Sequence, residues 1–131
     1  MSLIKGTHHV ALKCGSNQEF AETVTFYTEI LDLTVVRLWG EGPDAGIMLS
    51  TGNSILEIFA SGKESGETGA IHHFALATDD VDACIAAVRE AGYTITEESH
   101  DIEIPSVPGL PARIAFCIGP VGEVIEFFDE K

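Results

Sequence analysis

Two short segments of this chain repeat each other, His8-His9-Val10-Ala11-Leu12 and His72-His73-Phe74-Ala75-Leu76. Each is followed, near the end of its half, by an apolar run broken by one carboxylate: Ile55-Leu56-Glu57-Ile58-Phe59 and Val124-Ile125-Glu126-Phe127-Phe128. Imidazole nitrogens and carboxylate oxygens together make mixed-donor sites for divalent cations. One of each, twice over and in matching places, reads as a single four-ligand site of His9, Glu57, His73 and Glu126 on a duplicated fold.

Strand parity decides which histidine of each pair is the candidate. Side chains alternate between the two faces of a strand. If His9 faces inward, Ala11 and Lys13 accompany it, while Val10, Leu12 and Cys14 face a packed helix. In the second copy His73, Ala75 and Ala77 share a face. Glu57 then lies beside Ile55 and Phe59, and Glu126 beside Val124 and Phe128, so each carboxylate projects from an apolar strand face. An isolated ionised carboxylate in such a place costs several kcal/mol, or shifts its pKa until it is neutral. A cation shared by two imidazoles satisfies both glutamates, and the donor set suits Ni²⁺, Zn²⁺, Co²⁺, Mn²⁺ or Fe²⁺. His8 and His72 have the opposite parity and are expected on the helix side or at the start of a strand.

The elements that must hold these residues run in the same order twice. Thr7–Cys14 alternates like a strand. Ser16-Asn17-Gln18-Glu19 has the form of a capping box that opens a helix with Phe20, Val24, Tyr27 and Leu31 on its buried stripe. Three strands follow, Thr34–Trp39, Gly46–Ser50 and Ser54–Phe59, separated by the turn residues Gly42-Pro43-Asp44 and Thr51-Gly52-Asn53. The glycine-bearing stretch 60–70 is the expected linker between module 1 (7–59) and module 2 (71–128). The second module repeats the order: a strand at Ile71–Thr78, a helix over Val81–Ala91 capped by Asp79 or Asp80 and stopped at Gly92, and strands at Tyr93–Glu98, Arg113–Ile118 and Val124–Phe128. Between two of these, His100–Pro111 contains three prolines and is expected as an extended loop, a possible lid. It is also the simplest home for the extra residues of the second half.

Composition narrows the partners. The chain has 131 residues, 21 acidic and 7 basic side chains, and a formal charge of −14. That surface repels nucleic acid and acidic membranes. No apolar run approaches a membrane span, and Met1–Lys5 lacks a signal-peptide core, so a cytoplasmic location is expected. The three cysteines form no C-x-x-C pair and read as reduced, structural thiols. Few cations can hold an anionic ligand; Lys13, Arg37 and Arg113 are the candidates, with Trp39, Phe59 and Phe128 as apolar walls.

At these residues the sequence resembles the vicinal oxygen chelate superfamily, the glyoxalase / bleomycin-resistance / dioxygenase group, over essentially its whole length. The resemblance rests on His9 in HHVAL, on FYTEILDL at Phe26–Leu33, on Glu57 in ILEIF, on His73 in HHFALATDDVDA and on Glu126 in GPVGEVIEFF. It implies an α+β fold of two tandem βαβββ modules forming an incomplete barrel around a metal. A His, Glu, His, Glu ligand set is most like glyoxalase I (lactoylglutathione lyase). That similarity implies a small carbonyl substrate such as the glutathione hemithioacetal of methylglyoxal, and proton transfer through a metal-bound enediolate. Glu126 would be the base, with Glu57 its near-symmetric counterpart. Methylmalonyl-CoA epimerases share the scaffold but usually carry Gln in place of Glu57, and fosfomycin-resistance enzymes use only three protein ligands. An epimerase, or another family enzyme on a different metabolite, is the alternative, as is a non-catalytic protein that binds an antibiotic in an apolar groove. Each half presents an apolar concave sheet that must be covered. A homodimer is therefore expected, with the site formed within one chain or across a swapped pair.

Overall fold

The computed structural model describes residues 7–60, 72–106 and 108–131. The fold is α+β, and the chain divides into two compact units, Met1–Ser65 and Gly66–Lys131. In the first unit β1 (His9–Lys13) is followed by α1 (Asn17–Thr25), β2 (Thr34–Trp39), β3 (Gly46–Ser50) and β4 (Ile55–Phe59). In the second, β5 (Phe74–Ala77), α2 (Val81–Glu90), β6 (Ile95–Ile104), β7 (Leu110–Ile118) and β8 (Val124–Glu130) repeat that order. The sheets are ordered β1-β4-β3-β2 and β5-β8-β7-β6, each with one parallel pair, β1 with β4 and β5 with β8. The expected linker at 60–70 lies outside the described residues except for Ala60, which is buried and donates its N–H to Ala45. Ile71, the expected start of the second module, also lies outside them.

The helices form where local chemistry can close their ends. Ser16 caps α1, its hydroxyl accepting from Glu19 N–H at 3.1 Å, and Glu19 turns back to accept from Gly15 N–H. A single π-type turn over Phe26–Ile30 prolongs α1, and both Phe26 and Tyr27 are buried there. Asp32 follows with φ +62°, a left-handed position that Asp tolerates better than most residues. Asp80 caps α2 by accepting from Ala83 N–H at 3.0 Å. At its other end Gly92 N–H reaches Arg89 O and Tyr93 N–H reaches Val88 O, a Schellman closure that places Gly92 at φ +90°.

Each helix covers one face of its own sheet. Cys14, Leu49, Leu56, Ile58, Phe26 and Tyr27 are buried in the first unit, and Ala115, Cys117, Ile125, Phe127, Val81, Ile85 and Val88 in the second. The cysteines are free, and burial pushes the Cys117 thiol up to about 12, as an inert structural thiol requires.

The Pro-rich segment differs from its expected form. β6 runs on to Ile104 and β7 begins at Leu110, so His100–Pro111 is mostly a long hairpin and only residues 105–109 connect it. The extra residues of the second module therefore lengthen β6 and β7, and two register shifts in β6 absorb part of the excess. Pro111 fits because its carbonyl turns toward β8, accepting from Lys131 N–H. Its nitrogen points to that same side, so the pairing with Glu103 on β6 loses no donor.

Gly92 gives a direct test of the α2 closure. Forcing a Cβ into the left-handed region costs roughly 1–2 kcal/mol, so Gly92→Ala should lower the thermal midpoint by several degrees. An unchanged midpoint would mean that the closure contributes nothing.

Candidate functional site

The topology places the first and last strands of each module side by side, and this brings the histidine to the glutamate. Ala11 pairs with Glu57 across the parallel β1–β4 ladder, so His9 sits two residues away along the same face. Ala75 pairs with Glu126 in the same manner, with His73 two residues before it. His9 Nε2 lies 3.5 Å from Glu57 Oε1, and His73 Nε2 lies 3.2 Å from Glu126 Oε1. The same diagonal contact is built twice from the same register. Both glutamates are nearly buried, their side chains 12% and 11% exposed, whereas His9 and His73 remain 41% and 34% exposed.

Burial of an ionisable oxygen in an apolar wall has a measurable consequence at Glu126. Desolvation raises its pKa, the neighbouring His73 opposes the shift by charge and hydrogen bond, and Glu97 adds a further upward push. Glu97 belongs to this face because it pairs with Phe116, which pairs in turn with Glu126. The corresponding row in the first module runs Ala11, Glu57, Met48, Arg37. One carboxylate thus shares its row with a cation and the other with a second carboxylate. His100, opposite Ile114 and Phe128, lies on this same face and approaches Glu97 at 3.8 Å. Neither Glu97 nor His100 stood out in the sequence, because the two shifts in β6 erase the simple alternation that would have placed them.

The candidate ligand-contact residues separate into two groups. Lys13 pairs with Phe59 and is exposed on the His9 face. Trp39 stacks edge-on with Phe59 at 6.0 Å, over Gly46, where any Cβ would fall inside the indole ring. Arg37 shares the Glu57 row, and Phe128 occupies in module 2 the place of Phe59. Among the described residues neither Lys13 nor Arg37 forms an ion pair. Arg113 is different and corrects the expectation: it points to the opposite side of β7 from Phe116 and binds Asp82 at 2.9 Å and Asp101 at 3.1 Å. Those carboxylates hold its pKa above the usual guanidinium value, and it is committed to tying α2 to β6.

As a cation site, each face supplies one imidazole nitrogen and one carboxylate oxygen, donor types that fit half of a mixed N/O coordination sphere. Among the described residues no group of three or more His, Cys, Asp or Glu side chains is gathered to hold a metal ion. The unit present in the fold is the two-donor pair.

The sequence profile of the Glyoxalase/Bleomycin resistance protein/Dioxygenase superfamily matches residues 7–108. The chain belongs to this superfamily. Lactoylglutathione lyase of Haemophilus influenzae is 29% identical over 132 residues, spanning 94% of this chain and 91% of that protein. Among solved structures, the trypanothione-dependent glyoxalase I of Leishmania major superposes with a TM-score of 0.71 at 23% identity, over 96% of this chain and 87% of the other. TnmS3, an antibiotic-binding protein from a Streptomyces species, matches with a TM-score of 0.66 at 19% identity over the full length of both. The two structural likenesses speak for the fold alone.

The position of Glu126 predicts a pH dependence in the metal-free protein. Its folded pKa is raised, so the stability attached to the protonated form is present at low pH and lost as pH rises through that value. Glu126→Gln should therefore melt a few degrees above wild type at neutral pH in chelator, with the gain vanishing toward pH 4. A variant less stable than wild type at neutral pH would show that the His73 contact outweighs desolvation. Arg113→Ala, on the far side of β7, should leave the affinity for an anionic ligand unchanged. A large loss of that affinity would place Arg113 among the anion contacts after all.

Proposed function

We propose that the protein is a divalent-metal-dependent lyase or isomerase of the glyoxalase I type, acting by proton transfer next to the carbonyl of a small molecule. The observation that carries this reading is the twice-built His–Glu diagonal, His9 with Glu57 and His73 with Glu126. Two buried carboxylates, each facing an imidazole, are the arrangement a shared cation neutralises. The likeness to lactoylglutathione lyase supports the choice of chemistry.

In this reading His9, Glu57, His73 and Glu126 hold the ion, which when bound polarises the substrate's oxygen atoms and makes the adjacent C–H more acidic. The chain itself supplies the base. A carboxylate in an apolar pocket, once loosened from the ion, is a competent base. By the resemblance to glyoxalase I, Glu126 takes the proton from one carbon and returns it to the neighbouring one. Glu57, whose row ends at Arg37, is its counterpart on the other side. Lys13 and Arg37 offer the anion contacts for a substrate carboxylate, and Trp39, Phe59 and Phe128 exclude water. Ni²⁺ and Zn²⁺ are the leading cations, with Co²⁺, Mn²⁺ and Fe²⁺ also compatible with the donors.

Metal analysis of the purified protein should find a stoichiometric transition metal, reduced severalfold or more by alanine at any one of the four ligand positions. With the metal restored, the methylglyoxal–glutathione adduct should be turned over, and Glu126→Gln should lower kcat by at least 10²-fold. Metal without turnover of that adduct would shift the assignment to an epimerase or another isomerase of the superfamily.

One observation favours a second reading. The Trp39–Phe59 pair over Gly46 forms an aromatic wall suited to a flat apolar ligand, as in a non-catalytic antibiotic-binding protein. Absence of any bound metal, and no stabilisation by Ni²⁺ or Zn²⁺, would select it. A homodimer is part of the same proposal. β2 is an edge strand whose Val35, Val36 and Leu38 are exposed, Leu38 to 72%, and such an edge is ordinarily covered. Light scattering at micromolar concentration should give twice the chain mass.

A further inference from the structure

The histidine that precedes each candidate ligand makes the same contact in both modules. His8 Nδ1 lies 3.0 Å from His9 Nδ1, and His72 Nδ1 lies 2.7 Å from His73 Nδ1. The rings meet edge to face in both, with centroids 5.2 Å and 5.0 Å apart and interplanar angles of 88° and 85°. At such distances one nitrogen of each pair donates and the other accepts. Adjacent residues of an ordinary strand point to opposite faces, so neighbouring rings meet only where the strand is beginning. His8 and His72 stand at that point, directly before β1 and two residues before β5. In the first module Ser54, just ahead of β4, donates its hydroxyl to the His8 carbonyl at 3.1 Å and fixes the backbone there.

We propose that His8 and His72 are positioning residues, each holding its neighbour through an Nδ1–Nδ1 hydrogen bond so that Nε2 of His9 or His73 faces the module's glutamate. The proposal rests on the reading of His9 and His73 as metal ligands. When Nε2 gives its lone pair to a cation, the proton of the ligand imidazole must sit on Nδ1 and needs an acceptor. When the site is free of metal, Nε2–H can point to the carboxylate, and Nδ1 then needs a donor. A backbone carbonyl can meet only the first need. A second imidazole meets both, because it accepts in one tautomer and donates in the other. The doubled histidine thus allows the ligand ring to keep one orientation while its proton changes place. Its repetition in both modules is what a device serving both ligands requires.

The test replaces His8 or His72 by Phe, which keeps an aromatic ring but neither donates nor accepts, and by Asn, which does both at similar reach. In the Zn²⁺-loaded, nitrogen-15-labelled protein, His9 and His73 should show protonated Nδ1 with slowly exchanging N–H signals. His8→Phe should lose the His9 signal and His72→Phe the His73 signal, and each should weaken Co²⁺ binding about 10–100-fold. The Asn variants should recover most of that affinity, and the melting of the metal-free protein should barely move, since both histidines are exposed. A wild-type protein that takes up neither ion overturns the metal reading and this role with it. A wild-type protein that binds Co²⁺, with Phe variants that bind it equally well and keep the protected N–H signals, overturns the positioning role alone.

Discussion

A carboxylate on an apolar sheet face is the constraint around which each module is arranged. Glu57 and Glu126 stand in the middle of β4 and β8 with apolar neighbours along their own strands. Neither can be left ionised there without a partner. The partner must come from an adjacent strand, and the topology puts the module's first strand next to its last. Because β1 and β4 run parallel, their connection must cross over one face, and α1 does so on the Leu56–Ile58 side. The helix therefore claims one face for the core and leaves the other to His9, Glu57 and their neighbours. Separation of core from chemistry follows from the βαβββ order itself.

Duplication sets the His–Glu pairs in matching places, but it does not make the surroundings match. The row through Glu57 passes Met48 and ends at Arg37, while the row through Glu126 passes Phe116 and ends at Glu97. Lys13 has Ala77 as its counterpart, and Trp39 has His100. The open face of the first module thus adds cations and an indole to its His–Glu pair, and that of the second adds a carboxylate and an imidazole. The two glutamates stand in similar apolar sequence contexts but sit in unlike fields. That difference in surroundings is the asymmetry on which the proposed division of roles between Glu126 and Glu57 would rest.

Much of this could be read from residue order. The parity of HHVAL and ILEIF groups His9 with Ala11 and sets Glu57 opposite Leu56 and Ile58, and the β1–β4 register then joins His9 and Glu57 on one face. Ser16, Asp80 and Gly92 mark helix ends by chemistry that acts within a few residues. What escaped was set by pairing across the sheet. Prolines 105, 108 and 111 suggest a loop, because the sequence does not say toward which neighbour the nitrogen of Pro111 points. Two register shifts in β6 hide Glu97 and His100, since alternation counts residues evenly and a bulge does not. Arg113 looked available for an anion because its partners, Asp82 and Asp101, come from another helix and another strand.

The wider superfamily resemblance becomes intelligible on these terms. A lactoylglutathione lyase matches this chain in sequence and an antibiotic-binding protein matches it in fold, and a shared fold does not carry a shared chemistry. In this chain the open face of each sheet carries a small set of exchangeable positions. A carboxylate on β4 or β8 and an imidazole at the start of the adjacent edge strand favour a cation, and removing either would leave an apolar face with the same backbone. Aromatic residues on the outer strand, such as Trp39, favour a flat ligand whether or not a cation is present. The carboxylates decide between these uses, because they alone carry a desolvation cost that a bound ion offsets. Burying both Glu57 and Glu126 inside apolar strands carries a desolvation cost that a bound ion would offset, and this is the physical support for the proposed cation site over a simple binding groove.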